Sequence, residues 1–251
     1  MRAFLRGLIA LSGFTFFLPF TATGAESEFL RELEAWRTER VARLTAPDGW
    51  LSIIGLHWLE EGVNTIGASE ENHHRLASGP AHLGRVELAP DRTVRFWPAK
   101  QVSVAVGDMV IDGRDETGIA MEYGGPHPTI VRAGSLSLFV IERGKRLALR
   151  VRDSEAPRRK EFSGIDYFPA DPSWRIEATW VPFAPVRQIP ITNAVGQTTL
   201  NTVPGKAVFS RDGQKFELLP ITDSSGETLF FIIADATSGL ETYEASRFLY
   251  A

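Results

Sequence analysis

The sequence predicts a mostly β protein, with sandwich-like antiparallel sheets preceded by one N-terminal amphipathic helix. Three observations lead to this prediction. One helical pattern occupies residues 26–44, short strand-like runs follow Pro47, and pairs of turn residues containing glycine separate several of these runs. With 251 residues, the chain is long enough for one large β domain or two small ones.

The segment 26–47 contains the predicted helix. Its acidic residues come early and its arginines late, as the helix dipole favours, and Pro47 stops the pattern. An apolar stripe runs along one face and comprises Phe29, Leu30, Leu33, Trp36, Val41 and Leu44. We therefore expect a helix that packs on the body of the fold.

The remainder of the chain has the pattern of antiparallel strands. The pairs Asp112-Gly113, Arg143-Gly144 and Asp212-Gly213 lie between strand-like runs, where hairpin turns need residues that tolerate positive φ. The Gly- and Pro-rich stretch 123–129 is a candidate seam. We therefore expect a first β unit over 48–130 and a second over 131–251.

The first 25 residues have the pattern of a secretory signal peptide. Arg2 and Arg6 precede an uncharged run that is short for a membrane span, and small residues end it at Ala25. We expect cleavage there, export to the periplasm or the medium, and no stable membrane insertion afterwards. An uncleaved anchor is the alternative.

Composition narrows the classes of function. The formal net charge of -4 disfavours nucleic acid as a partner. The chain has no cysteine, which excludes disulfides, a thiol nucleophile and a thiolate metal site. No nucleophile elbow, zinc-protease motif or phosphate-binding glycine loop occurs. We expect no cofactor, and a binding protein rather than an enzyme.

The histidines are weak candidates for a site. His73, His74 and His82 lie near Glu70 and Glu71, and zinc uses such ligands. Adjacent histidines on a strand point to opposite faces, however, so a polar loop explains them better and we expect no metal. His57 lies in an apolar segment and is typical of a half-buried histidine.

The stretch 149–175 is the leading candidate for a ligand site. If 146–152 is a strand, Arg150 and Arg152 share one face and could hold one carboxylate or phosphate. Asp153 and Glu155 could equally neutralise them. Arg175 follows Trp174, so it could stack on an aromatic ring or join the pair.

A second polar cluster lies at 235–250. Asp235, Glu241 and Arg247 could contribute to the same ligand site, or they could serve only the local backbone. The leading prediction is thus a protein that binds a small anionic or polar ligand. A metal-independent hydrolase using His57, Asp153 or Glu241 is the alternative, and a structural envelope protein is the third class.

Three blocks of the sequence resemble the domain-of-unknown-function 1684 family. They are "DGWLSIIGLHWLEEGVNTIG", "RVRDSEAPRRKEFSGIDYFPADPSWRIEA" and "DATSGLETYEASRFLY", and together they span about residues 48–250. The resemblance implies that the second and third blocks matter together, but no activity. Members typically continue into a segment with an Asn-Pro-Pro-Cys motif, whereas this sequence stops at Ala251.

Residues 60–90 resemble the opening of forkhead-associated domains, which are β-sandwiches that bind phosphothreonine. Gly67, Ser78 and His82 carry this resemblance. Ala68 stands where that family would place its phosphate-binding arginine. The resemblance implies a sandwich topology for 48–130 without phosphopeptide binding.

Overall fold

The computed structural model describes residues 22–114, 116–192, 196, 198–222 and 228–250. Helix α1 spans Ala22–Thr45 and α2 spans Pro157–Lys160, and short 3₁₀ helices lie at Trp50–Ser52 and Pro172–Trp174. The strands are β1 Ile53–Trp58, β2 Gly62–Gly67, β3 His74–Arg75, β4 Gly84–Leu88, β5 Val94–Pro98, β6 Ser103–Val106, β7 Met109–Asp112, β8 Ile119–Ala120, β9 Val131–Ala133, β10 Leu136–Arg143, β11 Arg146–Asp153, β12 Thr179–Thr192, β13 Thr198–Arg211, β14 Gln214–Leu218, β15 Pro220–Thr222, β16 Leu229–Ile233 and β17 Arg247–Tyr250.

Strands β1 to β11 form a two-sheet sandwich. One sheet has the order β1-β11-β10-β9-β6-β7 and the other the order β3-β2-β4-β5-β8. Both sheets contribute to one hydrophobic core, in which Phe96 and Val86 from the second sheet join Leu138 and Leu149 from the first. Alternate residues of each strand therefore face this core and the others face outward. The predicted fold class, mostly β with antiparallel sheets behind one helix, is confirmed.

The strands on both sides of residue 130 share the six-stranded sheet. Ala105 on β6 pairs with Arg132 on β9, and Val131 on β9 lies in the same core as Val86. The first unit thus continues to Asp153 at the end of β11, beyond the boundary expected at 130. The reason is that β9, β10 and β11 bury their apolar face against strands that precede the seam at 123–129.

The later strands form two further sheets of three strands each. One has the order β12-β13-β14 and the other β15-β16-β17, and β13 contacts β15. The first sheet is dominated by a long hairpin in which Thr192 pairs with Thr198. Stacked aromatic rings lie across the second sheet, where Phe230 is 4.8 Å from Tyr250 between ring centroids.

Helix α1 confirms the predicted N-terminal helix and ends two residues before Pro47. Phe29, Leu33 and Val41 are half-buried along one stripe, whereas Trp36 keeps 46% of its surface exposed. Of the predicted signal peptide at 1–25, residues 1–21 lie outside the described part of the chain and residues 22–25 lie in α1. No helix among the described residues is both long and apolar enough to cross a membrane.

Two of the three predicted turns are hairpin turns. Gly144, with φ of 59°, joins β10 to β11, and Asp212 and Gly213, with φ of 52° and 74°, join β13 to β14. The prediction for Asp112-Gly113 was wrong, because the β6–β7 hairpin turns at Gly107, whose φ is 57°. Gly113 instead lies against the backbone of Ala99, whose carbonyl oxygen would be 2.2 Å from an added Cβ.

Candidate functional site

The predicted pair Arg150 and Arg152 lies on the outward face of β11. Their neighbours Leu149 and Val151 are fully buried in the core, while both arginines are partly exposed. Arg150 pairs with Leu56 on β1 and with Phe139 on β10. The shared face was predictable because side chains alternate along any strand.

Aromatic rings flank both guanidinium groups. The Cζ atom of Arg152 is 4.8 Å from the ring centroid of Phe139, and that of Arg150 is 6.0 Å from the ring centroid of Trp50. A guanidinium over a ring face gains cation–π attraction and keeps its N–H edges available. These rings limit the water around the two arginines.

Neither arginine has a carboxylate partner among the described residues. The buried Nε atoms of Arg150 and Arg152 also have no hydrogen-bond acceptor there. Burial lowers the pKa of Arg150, and the positive charges of Arg143 and Arg152 lower it further. The pair is thus a partly desolvated concentration of positive charge, and an anion placed between the two groups would lower its electrostatic energy.

Asp153 and Glu155, which could have neutralised the pair, have other partners. Asp153 is 5% exposed and faces the inside of the sandwich. Its Oδ2 accepts a hydrogen bond of 2.6 Å from Ser78 Oγ, and its Oδ1 accepts one of 2.9 Å from Glu155 N–H. The Glu155 carboxylate forms a salt bridge with Lys160.

The environment of Asp153 keeps its carboxylate ionised. Burial would raise the pKa of Asp153, but hydrogen bonds from Ser78, the Glu155 backbone and Ser135, together with the charge of Lys160, outweigh burial and lower it. A carboxylate with a lowered pKa and occupied oxygens is a poor proton donor at neutral pH. The geometry therefore indicates a structural tether between β11 and the β3–β4 loop.

Arg175 lies apart from the β11 pair. Its side chain is exposed, and its backbone N–H donates to Pro172 at the end of the 3₁₀ helix. The cation that stacks on Trp174 is Arg211, with its Cζ 3.8 Å from the ring centroid. Arg211 also donates to the Ser173 carbonyl at 2.6 Å, which explains its position.

The 235–247 cluster forms a turn held by its own side chains. Asp235 forms a salt bridge with Arg247 and accepts hydrogen bonds from the backbone and hydroxyl of Thr237 at 2.9 and 2.6 Å. These donors lower the pKa of Asp235, Thr237 most of all. Glu241 is exposed, with its backbone N–H bound to Thr237. These contacts match the local-backbone interpretation of the cluster.

His57 and His74 meet at the edge of the sandwich, which the sequence did not predict. Their ring centroids are 5.3 Å apart, and His74 Nε2 lies 3.2 Å from Oδ1 of the buried Asn64. Burial lowers the pKa of both histidines, and the neighbouring charge of His57 lowers that of His74 further. His73, which precedes β3, instead accepts a hydrogen bond of 3.2 Å from the Thr65 backbone N–H. His57 and His74 are 17 positions apart in the sequence, which conceals this pairing.

A separate cleft of about 740 Å³ lies at one end of the sandwich. It is lined by 79–82, 99–103 and 133–136 and includes His82 and Lys100. None of the predicted ligand-binding residues lines it. The described residues contain no group of three or more acidic or histidine side chains that could hold a metal ion.

Comparisons with known proteins found similarity to one family over the C-terminal part of the chain. The model of the family described as "Protein of unknown function (DUF1684)" matches residues 160–251. A search of curated proteins found no match. Four solved chains match. Among them is "Crystal structure of Rad53 1-466 in complex with AMP-PNP", with 14% identity over 69% of this chain and 45% of that chain and a TM-score of 0.23, which supports no inference.

The family match has a clear extent along the chain. It includes Arg175, Asp235, Glu241 and Arg247, and it begins after Arg150, Arg152 and the β-sandwich. The first sequence block, at 48–67, therefore lies outside it. The family model therefore matches the predicted resemblance to the DUF1684 family over residues 160–251, and not over the whole of the expected range of about 48–250.

Proposed function

We propose that this protein binds a small anion through Arg150 and Arg152 on the outer face of the six-stranded sheet. One observation supports the proposal most directly: two partly buried arginines share a face, and neither has a carboxylate partner among the described residues. Arginine suits planar carboxylates and phosphates because its N–H groups form a rigid fork. The expected ligands are therefore phosphate, sulfate or small carboxylates.

The alternation of β11 also supports a site rather than a chance patch. Strand residues two apart are about 7 Å from each other, a spacing at which two long guanidinium side chains can converge on one anion. Phe139 and Trp50 reduce the exposure of the pair to water, which strengthens the attraction to a bound charge. Ser137, opposite Arg152 on β10, adds a hydroxyl on the same face.

Thermal unfolding in a panel of anions tests the proposal. At a tenfold excess over Kd, a ligand adds about 1.4 kcal/mol to the free energy of unfolding. For a chain of this length that raises Tm by about 3–5 °C. We expect this rise for the parent protein in phosphate or a carboxylate, and we expect Arg150→Ala and Arg152→Ala to abolish it.

Arg85→Ala is the matched control. Arg85 lies on β4 in the other sheet, and its Cζ is 4.8 Å from the ring centroid of Trp97, the same stacking distance as for Arg152 over Phe139. This variant removes one stacked arginine without touching the proposed site, so it should keep the anion-dependent rise. No rise in the parent for any anion, or equal losses in Arg85→Ala and Arg152→Ala, would contradict the proposal.

We also propose that the protein acts after export. The charged and then apolar pattern of residues 1–25 supports this. The anion would then be met in the periplasm or outside the cell.

A further inference from the structure

We propose that the ligand is a linear polyanion that lies along β11, so that Arg150 and Arg152 hold only one of its charged groups. This inference rests on the anion binding proposed above and names the class of ligand. The reason is that three more arginines share the outer face of the six-stranded sheet: Arg132, Arg143 and Arg146. We call the five together the arginine face.

Strand register places all five arginines on one side of the sheet. Arg146 is on β11 with Arg150 and Arg152, in the same alternation. Arg143 on β10 is directly opposite Arg146. Arg132 on β9 is opposite Ser137, which is opposite Arg152. Directly paired residues of antiparallel strands point to the same face, so the arginine face follows from the pairing alone.

The dimensions of the arginine face exceed those of a small anion. Arg146 and Arg152 are six residues apart on β11, which corresponds to about 20 Å. Arg132 lies two strands from Arg152, or about 10 Å across the sheet. A single phosphate or carboxylate can contact only one part of this area, whereas a chain with repeated anionic groups can contact all of it.

Of the three acidic residues in the strands of this sheet, two are directed away from the arginine face. Asp153 faces the interior, and Glu142 alternates with the outward residues of β10 and forms a salt bridge with Arg92. Asp112 shares the outward side, but it lies on β7 at the far edge of the sheet, four strands from β11. The face is therefore strongly positive although the whole chain has a net charge of -4.

Aromatic side chains position the arginines along β11. The Cζ atom of Arg146 is 4.2 Å from the ring centroid of Trp58, and that of Arg152 is 4.8 Å from that of Phe139. A stacked guanidinium has less side-chain freedom to lose when it binds an anion. Stacking at both ends of the row thus favours a ligand that spans it.

Binding of the full chain to anions of different length tests this inference. The probes are inorganic phosphate, linear polyphosphate, a sulfated glycan such as heparin, and polygalacturonate, all at the same concentration of anionic groups. We expect at least one polymer to bind about tenfold or more tightly than phosphate, since several weak charge contacts add along one chain. The tightest polymer identifies phosphate, sulfate or carboxylate as the repeated group.

The double variant Arg132→Ala/Arg146→Ala separates the two proposals. We expect it to keep the response to inorganic phosphate, which depends on Arg150 and Arg152, and to lose about tenfold in affinity for the polymer. The control is Arg85→Ala/Arg187→Ala, which removes two stacked arginines elsewhere and should keep the affinity of the parent. The decrease of polymer affinity with increasing NaCl concentration should become less steep in Arg132→Ala/Arg146→Ala and stay unchanged in the control.

Several outcomes would overturn the inference. Polymers that bind no more tightly than phosphate, or equal losses in both double variants, would each exclude a linear polyanion on this face. If phosphate still binds through Arg150 and Arg152 in those cases, the proposed function stands and only the extended ligand falls. If neither phosphate nor any polymer binds, both proposals are wrong.

Discussion

The hydroxyl group of Ser78 donates a hydrogen bond of 2.6 Å to the buried carboxylate of Asp153, 75 residues further along the chain. This contact joins the β3–β4 loop to the end of β11. It therefore fixes one end of the strand that carries the arginine face. Ser135 contributes a further hydrogen bond to the same carboxylate, so three chain segments meet at Asp153.

Removing this carboxylate should destabilise the sandwich. Asp153→Ala leaves the Ser78 hydroxyl and the Glu155 N–H without their acceptor, and we expect a loss of about 3 kcal/mol in the free energy of unfolding. Urea denaturation of parent and variant measures it. Asp91→Ala is the control, because exposed Asp91 also accepts from a backbone N–H and a hydroxyl, those of Thr93. A loss no larger than that of the control would refute the tether.

The contribution of Asp153 should also depend on pH. The pKa of Asp153 is lower in the folded state than its ordinary value of 3.8. Stabilisation by the ionised carboxylate is therefore present above about pH 4 and is lost as the pH falls through the lowered folded value. We expect the stability difference between parent and Asp153→Ala to shrink below pH 4. A constant difference between pH 7 and pH 2 would contradict this.

Arg152→Ala should leave stability nearly unchanged. Without a carboxylate partner among the described residues, the substitution strands no buried acid. It also removes one positive charge that, after burial and Arg143, lowers the pKa of Arg150. We expect the free energy of unfolding to change by no more than about 1 kcal/mol, because the relieved repulsion is partly offset by the lost stacking on Phe139. Breaking a buried ion pair would instead cost about 3–5 kcal/mol. A loss of that size in urea denaturation would show an internal salt-bridge role.

The His57–His74 pair should make stability sensitive to mild acid. Burial lowers the pKa of both histidines in the folded state. The charges of His57 and then His73 lower the pKa of His74 further, and Glu60 acts in the opposite direction. The folded state therefore resists protonation, so the stabilisation present above about pH 6.5 is lost as the pH falls through the lowered values. We expect His74→Gln to reduce the loss of stability between pH 7 and pH 5.

The control for the histidine pair is His127→Gln, since His127 is exposed in a loop. It should leave the pH dependence of the parent unchanged. Chemical denaturation at pH 7, 6 and 5 provides the three curves. Identical slopes for His74→Gln and the parent would mean that the pair does not titrate with folding.

Export should be accompanied by cleavage after Ala25. The mature chain would then begin at Glu26, within the first turns of α1, and keep the half-buried stripe from Phe29 onward. Intact mass of protein recovered from the envelope fraction and the medium measures the cleavage site. A full-length chain retained in the membrane would show that residues 1–25 are an anchor.

Local features of this protein were largely predictable from the sequence. The helix follows from the 3.6-residue period, and the turns at Gly144 and Gly213 follow from the need for positive φ. The common face of Arg150 and Arg152 follows from alternation on a strand. In each case the controlling physics acts within a few residues, so the order of the amino acids is sufficient.

Long-range relationships depended on the tertiary structure. In the six-stranded sheet, β9 lies next to β6, although the stretch 123–129 separates them in the sequence. The two-residue alternation of side chains along a strand carries no information on which strands become neighbours. The same ordering brings Ser78 to Asp153 and His57 to His74.

For the proposed anion site, the sequence by itself determined that Arg150 and Arg152 share a face. Only the tertiary structure decided that this face is the outward one. It also turned Asp153 inward to Ser78 and paired Glu155 with Lys160. Charge neutralisation depends on distances in space, and burial of the apolar side of β11 sets those distances.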